Sequence, residues 1–310
     1  MSTCFAWGSR NWLRATRESI YGQYDPLGQV AWFRLVGDTA FSMQATPEFF
    51  EIETADALGE LMEFESELIR VGGTLNTILY GPQTQFILDA ALNLDSHYGC
   101  DLTLPSYTLD HYDGVRVIRY RGCRVSAFSL SASADNPPLM VNIGWIGRDY
   151  VLMQKTDLPE PDGTDFPTPG THFRFQDSKG TLKLDQNVLQ ECYTSMELRV
   201  ENRIDDAACE DMYIAEAFYG GRRIESSFDL FYKLANDVQL PFLNRTGLAH
   251  HVFSFSRGGY VLTFDLTTRA KISSLDRQFP LSGRSTVSIT VQGVFDPVQG
   301  RTLGYTLTTP

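Results

Sequence analysis

VNIGWIG, residues 141–147, places β-branched or aromatic residues at every second position (Val141, Ile143, Trp145) and closes on Gly147. A period of two is that of a strand with one face in a core, since successive side chains point to opposite sides of the sheet. VSITVQG, residues 287–293, has the same outline, with Val287, Ile289, Val291 and a closing Gly293, at an offset of 293 − 147 = 146. The alternation recurs in FSMQA (41–45), TLNTILY (74–80), VRVIRY (115–120), YTSMELRVEN (193–202), IESSFDLFY (224–232) and GYVLTFDL (259–266). In YTSMELRVEN the apolar set Met196, Leu198, Val200 alternates with Ser195, Glu197, Arg199, Glu201, which predicts one buried and one wet face. The fold class expected is mainly β, built of antiparallel strands.

Helical signals are few. GPQTQFILDAALNL (81–94) opens with a turn, has Pro82 at a plausible first-turn position and sets Phe86, Ala90 and Leu94 on one side. YKLANDVQLPFLNRTG (232–247) follows a strand in the same way, although Pro241 should end or kink it. Setting Tyr80 on Tyr232, an offset of 232 − 80 = 152, aligns these two strand-to-helix junctions and pairs Phe86 with Val238 and Leu88 with Leu240. Upstream, FSMQATPEFFEIETA matches YTSMELRVENRIDDA with Met43 on Met196, an offset of 196 − 43 = 153. Three blocks in constant order predict a duplicated domain. Between the halves, residues 155–180 hold Pro159, Pro161, Pro167 and Pro169 and read as a linker. The expected organisation is an arm at 1–37, a first domain at 38–154, the linker at 155–180 and a second domain at 181–310.

Composition narrows the classes. A chain of 310 residues that is 43% hydrophobic and 12% aromatic can build a packed core, so whole-chain disorder is excluded. No run approaches the roughly 18 apolar residues of a membrane helix, and MSTCFAWGSRNWLRATRE carries arginines where a secretory signal would be apolar, which predicts a cytosol-made soluble protein. Five cysteines without close pairing argue against a disulfide framework and a zinc ribbon. A net charge of −12 disfavours a grip on nucleic acid, which needs clustered Lys and Arg.

No catalytic constellation stands out. The sequence holds no G-x-S-x-G elbow, phosphate loop or dinucleotide fingerprint. His97, Cys100 and Asp101 with Asp110, His111 and Asp113 match no metal-ligand spacing and read as a polar hairpin loop. His250 and His251, adjacent in a strand, point to opposite faces and cannot share an ion. Asn244-Arg245-Thr246 is an ordinary loop in the absence of a secretory signal. No catalytic, cofactor-binding or metal residue is assigned, and no cofactor is expected. Glu48 to Glu67 form an acidic run, and Arg10, Arg14 and Arg17 would lie on one face if that stretch were helical, with Trp7 and Trp12 as apolar anchors.

The order of elements resembles the long, two-domain tail tube proteins of tailed bacteriophages. The opening ESIYGQ and the hairpin CRVSAFSLSAS…PPLMVNIGWIG carry most of the resemblance, which covers nearly the whole chain. It implies two tandem β-sandwich or barrel domains, each with a flanking helix, similar to the type VI secretion tube protein. It further implies homotrimeric, pseudo-hexameric rings that stack into a tube for genome delivery, a virion location after assembly in the host cytoplasm, and tape-measure, tail-terminator and baseplate or tip proteins as neighbours. Edge pairing between copies until a ring closes agrees with this physically. A bore that passes duplex DNA should be polar and mostly acidic, because basic walls would hold phosphate. The wet faces propose its lining: Thr74, Asn76, Ser129, Ser131 and Ser133 from the first half, and Glu197, Arg199, Glu201, Glu225, Ser227 and Asp229 from the second. Glu60, Glu63 and Glu65 are expected to meet Arg10, Arg14 and Arg17 of the next ring. The rival reading is a secreted or surface carbohydrate-binding or adhesin module; a hydrolase on a β scaffold is the third.

Overall fold

The computed structural model describes residues 11–35, 40–53, 61–92, 104–158, 161–162, 164–168, 170–178, 183–184, 187–188, 193–208, 214–231, 250–266, 269–278 and 285–310. The first half of the chain runs β1 (Trp12–Arg17), β2 (Val30–Arg34), β3 (Phe41–Glu53), β4 (Leu61–Ile78), α1 (Gly81–Leu92), β5 (Tyr107–Tyr112), β6 (Val117–Ser133), β7 (Met140–Gly147) and β8 (Asp149–Met153). The second runs β9 (Lys183–Leu184), β10 (Asn187–Val188), β11 (Tyr193–Ala208), β12 (Ile214–Phe231), β13 (His251–Arg257), β14 (Tyr260–Leu266), β15 (Lys271–Gln278), β16 (Thr286–Gln292) and β17 (Leu303–Thr308). Each alternating run of the sequence falls for most of its length within a strand, and the fold is mainly β with antiparallel sheets.

Eight strands form one continuous antiparallel wall in the order β3-β4-β7-β6-β11-β12-β16-β15. β6 belongs to two sheets. Its first part, from Val117, pairs with β5 and β8, and its second, from Arg124, pairs with β7 and then β11. The corner falls at Gly122, whose φ of 63° suits glycine and where an added Cβ would lie 2.7 Å from the Arg148 side chain. The Gly122 N–H donates to the buried Glu18 carboxylate, Oε1 at 2.9 Å, which also accepts from Thr108 at 2.7 Å. A third sheet, β10-β9-β13-β14-β17, packs behind the second half.

The two hairpins β3–β4 and β11–β12 outrun the wall. β7 accompanies β4 only from Val71, whereas β3 pairs with β4 out to Glu53 and Leu61. β6 accompanies β11 only as far as Glu201, whereas β12 stays paired with it to Ala208 and Ile214.

One core cluster draws on both halves. Trp145 meets Tyr107, which meets Phe86 of α1 and through it Phe33, at ring-centre distances of 5.9, 5.1 and 6.2 Å. In the second half the buried imidazole of His251 stacks on Phe228 at 5.0 Å and bonds to Ser226. His250 instead meets Asp265 at 2.7 Å, so the two neighbours do part to opposite faces. Helix α1 differs from the one-sided amphipathic helix expected: Gln83, Thr84, Ile87, Leu88, Ala91 and Leu92 are buried as well as Phe86 and Ala90. It is roofed on all sides but that of Pro82, Gln85 and Asp89, and its terminal carbonyl at Ala91 accepts from Asn202 of β11 at 2.9 Å. Leu94, the second expected helix (232–247) and the Asn244–Thr246 stretch lie outside the described residues.

The Pro-rich segment also packs. Leu158 and Phe166 join Trp12 and Trp32 in a small outer cluster, and Phe173 is fully buried where its backbone bonds Leu79 and Leu139.

Candidate functional site

The exposed side of the wall gathers all eleven sequence-selected wet residues onto one face. Alternation fixes this, since every register pair joins residues of like orientation. One row crosses seven strands: Asn76, Asn142, Ser129, Arg199, Glu225, Gln292, Lys271. The next holds Ser131, Glu197, Ser227, Thr290 and Ser274, and the third Ser133, Ser195, Asp229, Ser288 and Asp276. Thr74 sits on the same face two residues from Asn76, bonded to Ser42. The intervening residues, among them Leu75, Val141, Ile143, Leu130, Leu198, Phe228 and Ile289, are buried.

The polar groups satisfy one another in the plane of the sheet. Asp229 accepts from Ser195 and Ser288, both at 2.5 Å, and Asn142 donates to Asn76 at 2.5 Å. Arg199 meets Glu201 at 3.3 Å, Arg203 meets Asp205 at 3.4 Å and Arg223 meets Glu225 at 2.6 Å, each pair two residues apart along one strand. The hydrogen bonds that Arg223 donates to Glu225, and the negative charge of that carboxylate, hold its guanidinium more firmly protonated than usual. Charge is uneven across the rows. The first-half strands contribute Thr74, Asn76, Asn142, Ser129, Ser131 and Ser133, all neutral, whereas Glu197, Arg199, Glu201, Glu225 and Asp229 belong to the second half. Sequence reasoning overlooked Asn142, Ser288, Thr290 and Gln292, although the parity that buries Val141 and Val287 already turned them outward.

The N-terminal arginines behave otherwise than expected. The stretch is strand β1, not helix, so Arg14 and Arg17 fall on opposite faces. Arg14 is buried near Asp110 at 3.9 Å and donates to the Tyr24 hydroxyl at 3.0 Å, which removes it from the set that a neighbouring ring could reach. Trp12 is buried against Trp32 at 5.0 Å, an intramolecular anchor. Arg17 is exposed; Arg10, Trp7 and Glu60 lie outside the described residues, and Glu63 and Glu65 lie on β4.

The sequence reading of Asp110 and His111 as loop residues is corrected. Both are in β5, and Asp110 is fully buried, accepting two hydrogen bonds from Arg119 at 2.7 and 3.1 Å. The turn lies beyond them, where Asp113 accepts from the backbone of Val115 and Arg116. Among the described residues no group of three His, Cys, Asp or Glu side chains could hold a metal ion. His97, Cys100 and Asp101 lie outside them, as do the other cysteines except Cys123, which is buried and whose thiol burial pushes well up.

The wall presents a broad, hydrogen-bonded polar surface, with concavities lined by Ser131, Glu197, Ser227 and Asp229 and by Glu201, Arg203 and Arg223. A family model described as phage tail tube protein matches residues 8–294. The chain belongs to the phage tail tube protein family. No curated protein matches the chain. The tube protein is therefore a structural component of the virion tail, made to assemble with itself and with other tail proteins. Among the described residues no helix is long and apolar enough to cross a membrane.

Proposed function

We propose that three copies of this tube protein close edge to edge into a ring, that rings stack into the tail tube, and that the polar face of the wall lines the bore through which the genome enters the host. One observation carries the reading: the wall divides into two quartets of strands whose order matches. Its order is β3-β4-β7-β6 followed by β11-β12-β16-β15, and the two quartets meet where β6 pairs with β11 from Ser133–Ser195 to Ala127–Glu201. Setting Ile143 on Ile289 places Leu75, its partner, on Phe228, and Phe41, the partner of Leu75, on Met196. The offsets become 146, 228 − 75 = 153 and 196 − 41 = 155, which shifts the sequence alignment by one residue at β4 and two at β3. This supports tandem duplicated units of the tube-protein kind, here sharing one wall and one core.

The same junction can repeat between chains. Among the described residues β15 pairs only with β16 and β3 only with β4, so each end of the wall is an unpaired edge. Phe41, Met43 and Ala45 on β3 and Ile272 and Leu275 on β15 are half-buried, whereas Met196, Leu198 and Val200 on the internal counterpart are buried. Pairing β15 with β3 of the next copy would cover them. Three eight-strand walls would give 24 strands and a backbone diameter of roughly 45 Å at ordinary strand spacing and tilt.

The overrunning hairpins would reach the adjacent ring, the first carrying Glu60, Glu63 and Glu65 toward the N-terminal segment with Arg10 and Arg17. Replacing those three glutamates by lysine should leave rings intact and block stacking; tubes of unchanged length would rule this out. A tape-measure protein inside the bore and terminator and baseplate or tip proteins at its ends are the neighbours this role requires, with host-cytoplasmic assembly. Electron microscopy of concentrated protein tests the whole reading: rings or tubes of even bore are expected, and a monodisperse monomer at every concentration and salt would overturn it.

A further inference from the structure

The arginines on the polar face pose a problem for a DNA conduit. Arg199, Arg203 and Arg223 have side chains 60, 76 and 60% exposed. A guanidinium is well shaped to take a phosphate by two parallel hydrogen bonds, and each phosphate neutralised adds about 0.9 to the salt dependence of duplex binding. Left unguarded, these three arginines of β11 and β12 would hold a sliding duplex.

The surroundings answer this geometrically. Arg199 stands directly across from Glu225, and Glu201 directly across from Arg223. Arg199 also meets Glu201 along its own strand, and Arg223 meets Glu225 along the other. The four make a two-by-two checkerboard in which each charge has an opposite beside it and an opposite across from it. Arg203 and Asp205 continue the pattern along β11. Exposed pairs of this kind add little to folding stability, too little to explain three of them in one place by folding alone.

We propose that Glu201, Asp205 and Glu225 are guard residues that occupy Arg199, Arg203 and Arg223 so that passing phosphates find no free guanidinium, while the arginines cancel the carboxylates so that the wall does not repel the duplex. The inference rests on the bore-facing reading of the wall. A phosphate can engage only by displacing a carboxylate already held in the plane of the sheet, which exchanges one ion pair for another and strands an uncompensated anion beside the DNA.

Assembled tubes of wild type, of Glu201→Gln/Asp205→Asn/Glu225→Gln, and of that variant with Arg199→Gln, Arg203→Gln and Arg223→Gln added test it. The probes are a short linear duplex and a closed DNA minicircle that cannot thread a bore, and the readout is co-sedimentation with tubes across a salt series. The triple variant should retain linear duplex with a dependence steeper by about 2.7 in log–log slope for each chain the duplex touches, roughly 40-fold per chain over a fourfold change in salt, as three freed phosphate contacts per chain require. The minicircle should stay in the supernatant, and the sixfold variant should return to wild type. Asp25→Asn/Asp162→Asn/Asp165→Asn, with the same net charge altered elsewhere, should not retain DNA. Retention by the triple variant no greater than wild type, or equal to that of this charge control, overturns guarding and leaves the bore reading standing. Equal capture of minicircle and linear duplex puts the arginines outside the tube and overturns the bore reading itself. Glu225→Gln alone, which removes the carboxylate bonded to Arg223 and across from Arg199 while Glu201 stays beside both, should move in the same direction with a smaller slope than the triple variant, and it serves if the triple variant does not assemble.

Discussion

Asp110 shows what a single side chain can hold together. It is fully buried between Arg119, which donates two hydrogen bonds to it, and Arg14 at 3.9 Å, and Arg119 in turn lies 3.9 Å over the ring of Tyr24. Removing the anion leaves two cations with little water to replace it. Asp110→Ala should therefore cost about 3–5 kcal/mol in denaturant unfolding, whereas Asp110→Leu with Arg14→Met and Arg119→Met should cost far less, because a buried charge cluster is weakly stabilising as a unit and costly when one member is removed. A neighbour on the same strand gives a pH dependence. Burial lowers the pKa of His111 against the pull of Asp113. The unfolded chain then takes up its proton first as pH falls through about 6.5, so the stability that His111 contributes is present above that pH and is lost below it. Thermal melts between pH 8 and pH 5.5 should show this loss, and His111→Gln should reduce it.

At the scale of elements, β6 must turn from one sheet into another, and Gly122 is where it does so. An alanine there meets both an unfavourable φ and the Arg148 side chain, and Gly122→Ala should cost about 1–3 kcal/mol, read by denaturant unfolding. The strands themselves were legible in the sequence because the alternation is physical: a strand with one wet face has to read apolar–polar, and VNIGWIG and YTSMELRVEN do. The wet residues chosen from that alternation do share a face. What the sequence hid were matters of pairing. Nothing in VRVIRYRGCRVSAFSLSAS says that one strand serves two sheets. Arg10, Arg14 and Arg17 read as a possible helix face because their spacing of four and three suits a helix, while the partner that decides the matter for Arg14, Asp110, is far off in the chain. Helix α1 read as one-sided because Gln83 and Thr84 look exposed by composition; their hydrogen bonds to the Trp32 and Tyr80 carbonyls are what let them be buried.

For the whole molecule, the open edges carry the argument. Met43 on β3 and Ile272 on β15 are half-buried and on the core side of their strands. Met43→Lys and Ile272→Lys should each leave a folded chain, by circular dichroism, that sediments as a monomer under conditions where wild type assembles; normal assembly by both variants would refute pairing between these edges. Because the charged residues in the paired rows belong to the second half alone, a ring of three would match a sixfold backbone with a threefold pattern of chemistry. The register that sets Ile143 on Ile289 also sets Asn76 on Asp229 and Ser129 on Asp276. An image reconstruction that imposed sixfold averaging on such a tube would blend amide with carboxylate and hydroxyl with carboxylate, and would lose the side chains that face the bore while rendering the strands faithfully. Threefold averaging is the symmetry at which the lining can be read.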